Sequence, residues 1–344
     1  MKAAVITGHG GLEVVGVAHD LPIPEPGRDE VRLRMKAAAL NRLDLFVRVG
    51  WPGLKLDLPH VMCADGAGVV DKVGEGVGQF APGDRVCIDP TIVPPDSPAL
   101  MTGLENQSRI AILGEHRPGV AAEYVVLPAR NLLKMPDTVT FEEAAAAGLV
   151  YLTAWHSMIT RGGLRAGETV LIVGAGGGVN TASIQIAKLA GCKVTVVGSS
   201  AEKCEKAREL GADVTINRQE TPEWAKALYA LTNKQGFDVV VDNVGAATFN
   251  DSIRSTRIGG RLLVVGATSG PFVEIDLRQV FFRHLDIIGS TMAPHQDFVR
   301  VMKLVFEGKL KPVIGAVFPM DEAARAQEML AEFDVFGKVV LTIA

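Results

Sequence analysis

The chain has 344 residues, 48% of them hydrophobic, and a formal net charge of −4. That length predicts two domains with ample core, and mild acidity without a basic stripe excludes a nucleic-acid surface. Cys63, Cys87, Cys192 and Cys204 lack CxxC spacing, no signal-peptide pattern opens the chain, and the longest apolar stretch, Ala144–Trp155, is too short for a bilayer, so a soluble, cytoplasmic protein is expected.

The first 130 residues read as short strands, Val31–Ala37, Gly68–Val73 and Arg85–Ile88, separated by turn clusters such as Pro22–Gly27 and Ala81–Asp84. This predicts a compact β-barrel-like domain. Asp89–Arg117 is proline-rich and polar with little periodicity, which predicts a long lobe or loop. From Val170 onward strands and helices alternate. The strand Val170–Val173 runs into a glycine loop, then a helix over Thr181–Ala190 closed by Gly191, then the strand Lys193–Val197. Further strands are predicted at Val214–Ile216, Asp238–Asp242, Arg261–Val265 and Leu285–Ile288, with helices at Ala201–Leu210, about Glu223–Leu231 and around Thr248–Thr256. Six strands suit a doubly wound parallel sheet of order 3-2-1-4-5-6. Helices near Phe298–Glu307 and Asp321–Phe333 and the strand Lys338–Ile343 are expected to return to the first domain. The domains are therefore placed at 1–150 with 289–344 and at 151–288, with a cleft between them for cofactor and substrate.

The loop Gly174-Ala175-Gly176-Gly177-Gly178-Val179-Asn180 lies where strand meets helix in this βαβ unit. Backbone N–H groups and the positive helix end meet a pyrophosphate there, and glycine lets the backbone come close. A dinucleotide is the expected ligand; an ordinary glycine-rich turn is the bland alternative. NAD-binding units usually end the second strand in an acid that accepts from the ribose 2′-OH. Here that strand leads into Gly198-Ser199-Ser200-Ala201-Glu202-Lys203. Two hydroxyls, a helix N-terminus and an ammonium form a cradle for a 2′-phosphate, which favours NADPH over NADH. The alternative, compatible with the first, is that Ser200 caps the next helix while Lys203 is solvated.

Taken together, Pro22–Gly27, Lys36–Asn41, Gly66–Val70, Pro82–Val86, Ala122–Tyr124, Leu152–Ala154, the glycine loop, Leu210–Asp213 and Phe336–Val340 resemble the medium-chain dehydrogenase/reductase superfamily along nearly the whole chain. The resemblance implies a Rossmann domain joined to a GroES-like catalytic domain. Zinc-dependent alcohol dehydrogenases of this superfamily carry metal ligands where this chain has Asn41, Ala64 and about Leu149, none of which can hold zinc. Cys63 and Asp65, expected on one strand facing the same way, would be two ligands and not a site. The stretch Pro94–Ser108 matches the structural-zinc lobe without its four cysteines, so the lobe is expected to be held by packing alone. Asn41-Arg42-Leu43-Asp44 and Arg48-Val49-Gly50 are similar to the zinc-free quinone oxidoreductase and enoyl-reductase branches, whose glycine loop ends in glycine where this one has Asn180. That departure is expected to loosen the strand–helix approach.

The resemblance implies an NADPH-dependent, zinc-independent reductase of quinones or α,β-unsaturated carbonyls. Holding a conjugated acceptor over the nicotinamide needs no Lewis acid, whereas an alkoxide losing hydride needs strong electrostatic help. Asn41 is the candidate donor near the substrate carbonyl or the nicotinamide ribose, or else a turn asparagine. Thr153 packs on the nicotinamide or bonds back within its own helix. Tyr151 supplies a proton or fills the core. Gly174, Gly176, Gly177, Gly178 and Val179 are expected on the pyrophosphate, and Ser199, Ser200 and Lys203 on the 2′-phosphate. Asn243, Gly266, Ala267 and Thr268 follow strand ends where ligands lie, and Ser290 and Thr291 could bond the carboxamide through their backbone. Lys338 stands near a family arginine that pairs with the acid at Asp65 and with the pyrophosphate; a surface lysine is its alternative. A small-molecule carbonyl or quinone is the expected partner, and the family implies a homodimer or homotetramer through Leu285–Ile288. A zinc-free NAD(P)-dependent alcohol dehydrogenase and a cofactor-binding protein with little turnover stay open.

Overall fold

The computed structural model describes residues 1–103 and 110–344. Two compact units emerge, Met1–Leu152 with Ala293–Ala344, and Thr153–Met292.

The first unit begins with β1 (Ala3–Ile6), β2 (Val15–Ala18), β3 (Glu30–Leu40), α1 (Arg42–Val49), β4 (His60–Val61), β5 (Asp65–Val73), β6 (Arg85–Ile88), β7 (Thr91–Ile92), α2 (Ala99–Thr102), β8 (Ala111–Ile112), β9 (Tyr124–Pro128) and β10 (Leu132–Lys134). α3 (Phe141–Trp155) follows and carries the chain into the second unit. There the elements are β11 (Thr169–Val173), α4 (Gly178–Leu189), β12 (Lys193–Gly198), α5 (Ala201–Glu209), β13 (Val214–Asn217), α6 (Trp224–Leu231), β14 (Phe237–Asp242), α7 (Phe249–Ser255), β15 (Thr256–Val264), α8 (Arg278–Phe281) and β16 (Asp286–Gly289). The first unit then resumes with α9 (His295–Phe306), β17 (Ile314–Pro319), α10 (Ala323–Ala331) and β18 (Lys338–Thr342).

The principal sheet of the first unit has the order β10-β6-β5-β3-β18-β17, with β9 also on β3, and a second sheet has the order β2-β1-β4. β3 alternates at first, burying Val31, Leu33 and Met35 while exposing Arg34. It then runs on to Leu40, past the expected end at Ala37, because Ala38 and Leu40 join the main core of the unit on one face while Ala37 and Ala39 pack under α3 on the other. Two-sided burial removes the alternation that marks a strand in sequence. Ala37 and Ala39 of β3, Val340 of β18 and Ala145 and Ala146 of α3 form one buried cluster, where methyl-sized side chains let helix and sheet approach closely.

α3 starts on a capping box. Glu143 N–H donates to Thr140 Oγ1 at 3.1 Å, and Thr140 N–H donates to the Glu143 carboxylate at 2.8 Å.

The second unit has a six-stranded sheet of order β13-β12-β11-β14-β15-β16, every neighbouring pair parallel. In sequence order from β11 this is 3-2-1-4-5-6, as the alternation predicts. Leu171, Val173, Val197, Phe237, Val240 and Leu262 pack with Trp224 and Leu228 of α6 into its core. α4 begins at Gly178 instead of Thr181, since the last residues of the glycine loop form its first turn. Gly191 closes it with φ +78.

Of the lobe Pro94–Ser108, residues 104–108 lie outside the described residues, and the segment that leads into it is held by polar groups. Asn131 Nδ2 donates to the carbonyls of Asp89 (3.0 Å) and Thr91 (2.8 Å), and Asp89 N–H donates to Asn131 O (2.8 Å). The buried Asp89 carboxylate accepts from Thr91 N–H and pairs with His295 Nδ1, while Arg130 bonds the carbonyl of Val93. These polar groups are far apart in sequence, so no spacing advertises the clamp. Replacing Asn131 by Leu removes two buried bonds and orphans two carbonyls. We expect unfolding in denaturant to lose about 2–4 kcal/mol with an unchanged slope; a change within about 0.5 kcal/mol, typical of surface sites, would refute the clamp.

Candidate active site

In the first unit one buried carboxylate gathers an amide, an ammonium and a backbone N–H. Asp65 opens β5 and has no exposed surface. Its Oδ1 accepts from the backbone N–H of Leu149 in α3 at 2.6 Å. Its Oδ2 accepts from Asn41 Nδ2 at 2.8 Å and from Lys338 Nζ at 3.0 Å. Lys338 also bonds Asn41 Oδ1, which fixes the orientation of that amide. A bulkier residue cannot stand at Gly148, where a Cβ would lie 2.3 Å from Asp65 Oδ1.

The positions where the resemblance puts zinc ligands, Asn41, Ala64 and Leu149, thus include Asp65's immediate neighbour in sequence and two of its hydrogen-bond donors. Among the described residues no group of three or more His, Cys, Asp or Glu is arranged to hold a metal ion. Lys338 is buried, not a surface lysine, and its pairing with Asp65 is present. Cys63 is not on a strand with Asp65. It precedes β5 with φ +70, and burial pushes its thiol well above the usual range.

Local sequence sets up this cluster. Asn41 is the N-cap of α1, and Asp44, at the third helical position, accepts from its backbone N–H at 2.8 Å. The other Asp44 oxygen accepts from Cys63 N–H at 2.8 Å, tying α1 to the turn before β5. Burial dominates the Asp44 carboxyl and pushes its pKa up to about 6, despite those two bonds. Sequence reasoning quoted Asp44 without giving it a task; a cap acid three residues after an asparagine was its only signal. Tyr151 is fully buried in the same unit, and its hydroxyl donates to the carbonyl of Lys311 at 2.8 Å.

In the second unit, strand ends and the glycine loop come together. Gly174 has φ +101, a conformation that glycine adopts without penalty. α4 is capped by Gly177, so no side chain accepts from its first-turn N–H groups. Asn243 follows β14, beside β11, and the buried Asp242 shapes its loop by accepting from Val244 N–H, Gly245 N–H, Thr248 and Ser252. Thr268 N–H and Oγ1 both donate to Asn243 O at 3.3 Å, which draws Gly266-Ala267-Thr268 against Asn243. Ser200 Oγ caps α5 by accepting from Lys203 N–H at 3.2 Å, and its own proton stays available to donate.

Among the described residues of this unit five buried hydroxyls lack partners, those of Thr153, Ser183, Thr215, Ser255 and Ser290, and Thr153 and Ser290 are two of the positions expected to face the cofactor. Thr153 therefore does not bond back within its helix. The backbone N–H of Ser290 is committed to Val264 O at 3.0 Å, which leaves its carbonyl and its hydroxyl for other partners. The open N–H groups at the start of α4 fit an anionic group such as a phosphate. Asn180 is buried, donates to Val173 O at 3.1 Å, and exchanges bonds with Asn243, so a bonded amide stands between strand and helix.

Two measurements test the Asp65 cluster. Lys338→Met strands a buried carboxylate, and we expect a loss of about 3–5 kcal/mol in unfolding free energy; a loss under about 1 kcal/mol, as for exposed pairs, would count against the ion pair. Asp44 binds its proton more tightly folded than unfolded. Its contribution to stability is therefore full below its ordinary pKa near 4 and is lost as pH rises through about 6. Denaturation between pH 4 and 6 should show a stability decline that is smaller in Asp44→Asn; equal slopes would show that Asp44 does not titrate there.

Residues 27–137 match the alcohol dehydrogenase GroES-like domain family, and residues 178–307 match the zinc-binding dehydrogenase family. A zinc-type alcohol dehydrogenase-like protein of Schizosaccharomyces pombe is 36% identical over 321 residues, covering 91% of each chain. The quinone oxidoreductase of Mus musculus is 30% identical over 351 residues, covering 100% of this chain and 98% of its own. A crystal structure of an NAD-dependent alcohol dehydrogenase superposes with a TM-score of 0.96 at 49% identity, with both chains fully covered. The architecture, the glycine loop at the start of α4 and these likenesses agree: the chain is an oxidoreductase belonging to the medium-chain dehydrogenase/reductase superfamily, in its quinone oxidoreductase-like branch.

Proposed function

We propose that this enzyme is a zinc-independent, NADPH-dependent reductase of quinones or α,β-unsaturated carbonyls. The observation that carries the reading is the buried cluster Asn41–Asp65–Lys338. Where related alcohol dehydrogenases resemble this chain but hold a metal, it has an amide oriented from both sides, a methyl group and an isobutyl group. With Oδ1 accepting from Lys338 and one N–H given to Asp65, the Asn41 amide keeps a second N–H. That N–H is the donor for charge developing on a conjugated oxygen, a task one neutral donor can perform.

A bound nicotinamide cofactor supplies the hydride. The chain's own part is to bind and orient. The N–H groups of Gly178 and Val179, with Gly174, Gly176 and Gly177 kept small, receive the pyrophosphate. Ser199, Ser200 and Lys203 receive the 2′-phosphate. Asn243, Gly266, Ala267, Thr268, Ser290, Thr291 and Thr153 lie toward the nicotinamide half, where the unpartnered hydroxyls of Thr153 and Ser290 gain partners. Tyr151 is left out of proton transfer in this reading, because its hydroxyl is committed to a carbonyl. The edge strand β16, with Ile287 partly exposed, supports association of identical chains.

A second reading, NAD-dependent alcohol oxidation, is favoured by the likeness to the NAD-dependent alcohol dehydrogenase. One panel separates them. We expect 1,2-naphthoquinone or a 2-alkenal to oxidise NADPH readily, untagged protein to carry no stoichiometric zinc, and alcohols with NAD⁺ or NADP⁺ to give little turnover. Lys203→Ala should weaken NADPH by roughly 10- to 100-fold and spare NADH. Asn41→Ala should lower kcat/KM by about 10²–10³, with folding checked separately. Alcohols turning over faster than enals, or equal losses for both cofactors, would transfer the assignment to the second reading.

A further inference from the structure

Asn180 stands where the resemblance leads one to expect a glycine, and its side chain is engaged by the strand and by a neighbouring amide. Its Nδ2 reaches Val173 O, the last residue of β11, at 3.1 Å. Its amide also faces that of Asn243 at the end of neighbouring β14, with Nδ2 to Oδ1 distances of 3.3 Å in both directions. One buried amide in the first turn of α4 therefore ties together helix, strand and the residue at the adjacent strand end. β11 and β14 are neighbours, and the chain order reverses at β11, so this is the switch point where an open parallel sheet receives its ligand.

The glycines of the loop carry a second observation. Gly177 has φ −73 and ψ 155, a conformation open to any residue, so its backbone does not demand glycine. A Cβ there would lie 2.7 Å from Asn180 Oδ1 and within 4 Å of nothing else but that same amide's Cγ at 3.8 Å. Within this chain, Asn180 alone makes residue 177 a glycine.

We propose that Asn180 is a positioning residue for the dinucleotide. Its amide holds the glycine loop in the conformation that receives the pyrophosphate and sets the orientation of the Asn243 amide. Gly177 is small to make room for Asn180 as well as for a ligand. The proposal rests on the dinucleotide reading and adds the device that shapes the site before the ligand arrives. Such preorganisation strengthens binding by removing the ordering cost.

The test uses the full-length protein titrated with NADPH and NADH by fluorescence, beside thermal melting. Asn180→Ala should weaken the preferred dinucleotide about tenfold, raising its KM while kcat stays within about twofold. Gly177→Ala should weaken binding and lower the melting temperature in the wild-type background. Both penalties should shrink by about threefold or more when Asn180 is already Ala, because the clash is gone. Wild-type affinity in Asn180→Ala, or a Gly177→Ala penalty equal in both backgrounds, would overturn the proposal while the dinucleotide reading stands. A wild-type protein that binds neither dinucleotide would overturn the cofactor reading and this inference together, a distinct outcome.

Discussion

A carboxylate without solvent is tolerable only when donors surround it, and Asp65 shows how the catalytic unit is arranged to meet that need. Its three donors come from the end of β3, from α3 and from β18. The demands of one side chain therefore reach through the alanine cluster beneath α3 and the missing side chain of Gly148. They also fix the amide of Asn41 from two directions, so that a residue at the start of α1 is held as firmly as a core group. A lysine and an amide meet the carboxylate with charge and hydrogen bonds.

Asp44 plays a smaller version of the same role. It joins the start of α1 to the turn before β5 through two backbone N–H groups, and burial raises its affinity for a proton. Two buried acids in one neighbourhood, one matched by an ammonium and one raised by desolvation, have different consequences. Asp65 is held by Lys338 and two further donors, whereas Asp44 can shed its charge by taking up a proton.

The dinucleotide unit follows a different logic. Its polar atoms sit at strand and helix ends, where backbone groups lack internal partners. Some are satisfied within the chain, as at Asp242, which accepts four hydrogen bonds from its own loop and helix. Others are left over, as at Thr153 and Ser290.

The doubly wound sheet, its strand order and the glycine loop were legible because each is a local pattern: apolar runs, breakers and helix caps at short range. The capping box before α3 was equally local, although the apolar stretch of that helix was read only for its length. The two-sided burial of Ala38–Leu40 was not legible, since it arises from α3 on one face and from core side chains distant in sequence on the other. The same holds for the lobe clamp joining Asp89, Asn131 and His295, and for the tie between Asn180 and Asn243. Sequence alone determined which side chains with hydrogen-bonding capacity this chain possesses and which short segments become strands and helices. Only the tertiary structure decided which of those side chains spend that capacity on each other, because a hydrogen bond depends on positions within about 3 Å, and no spacing along the chain encodes that distance.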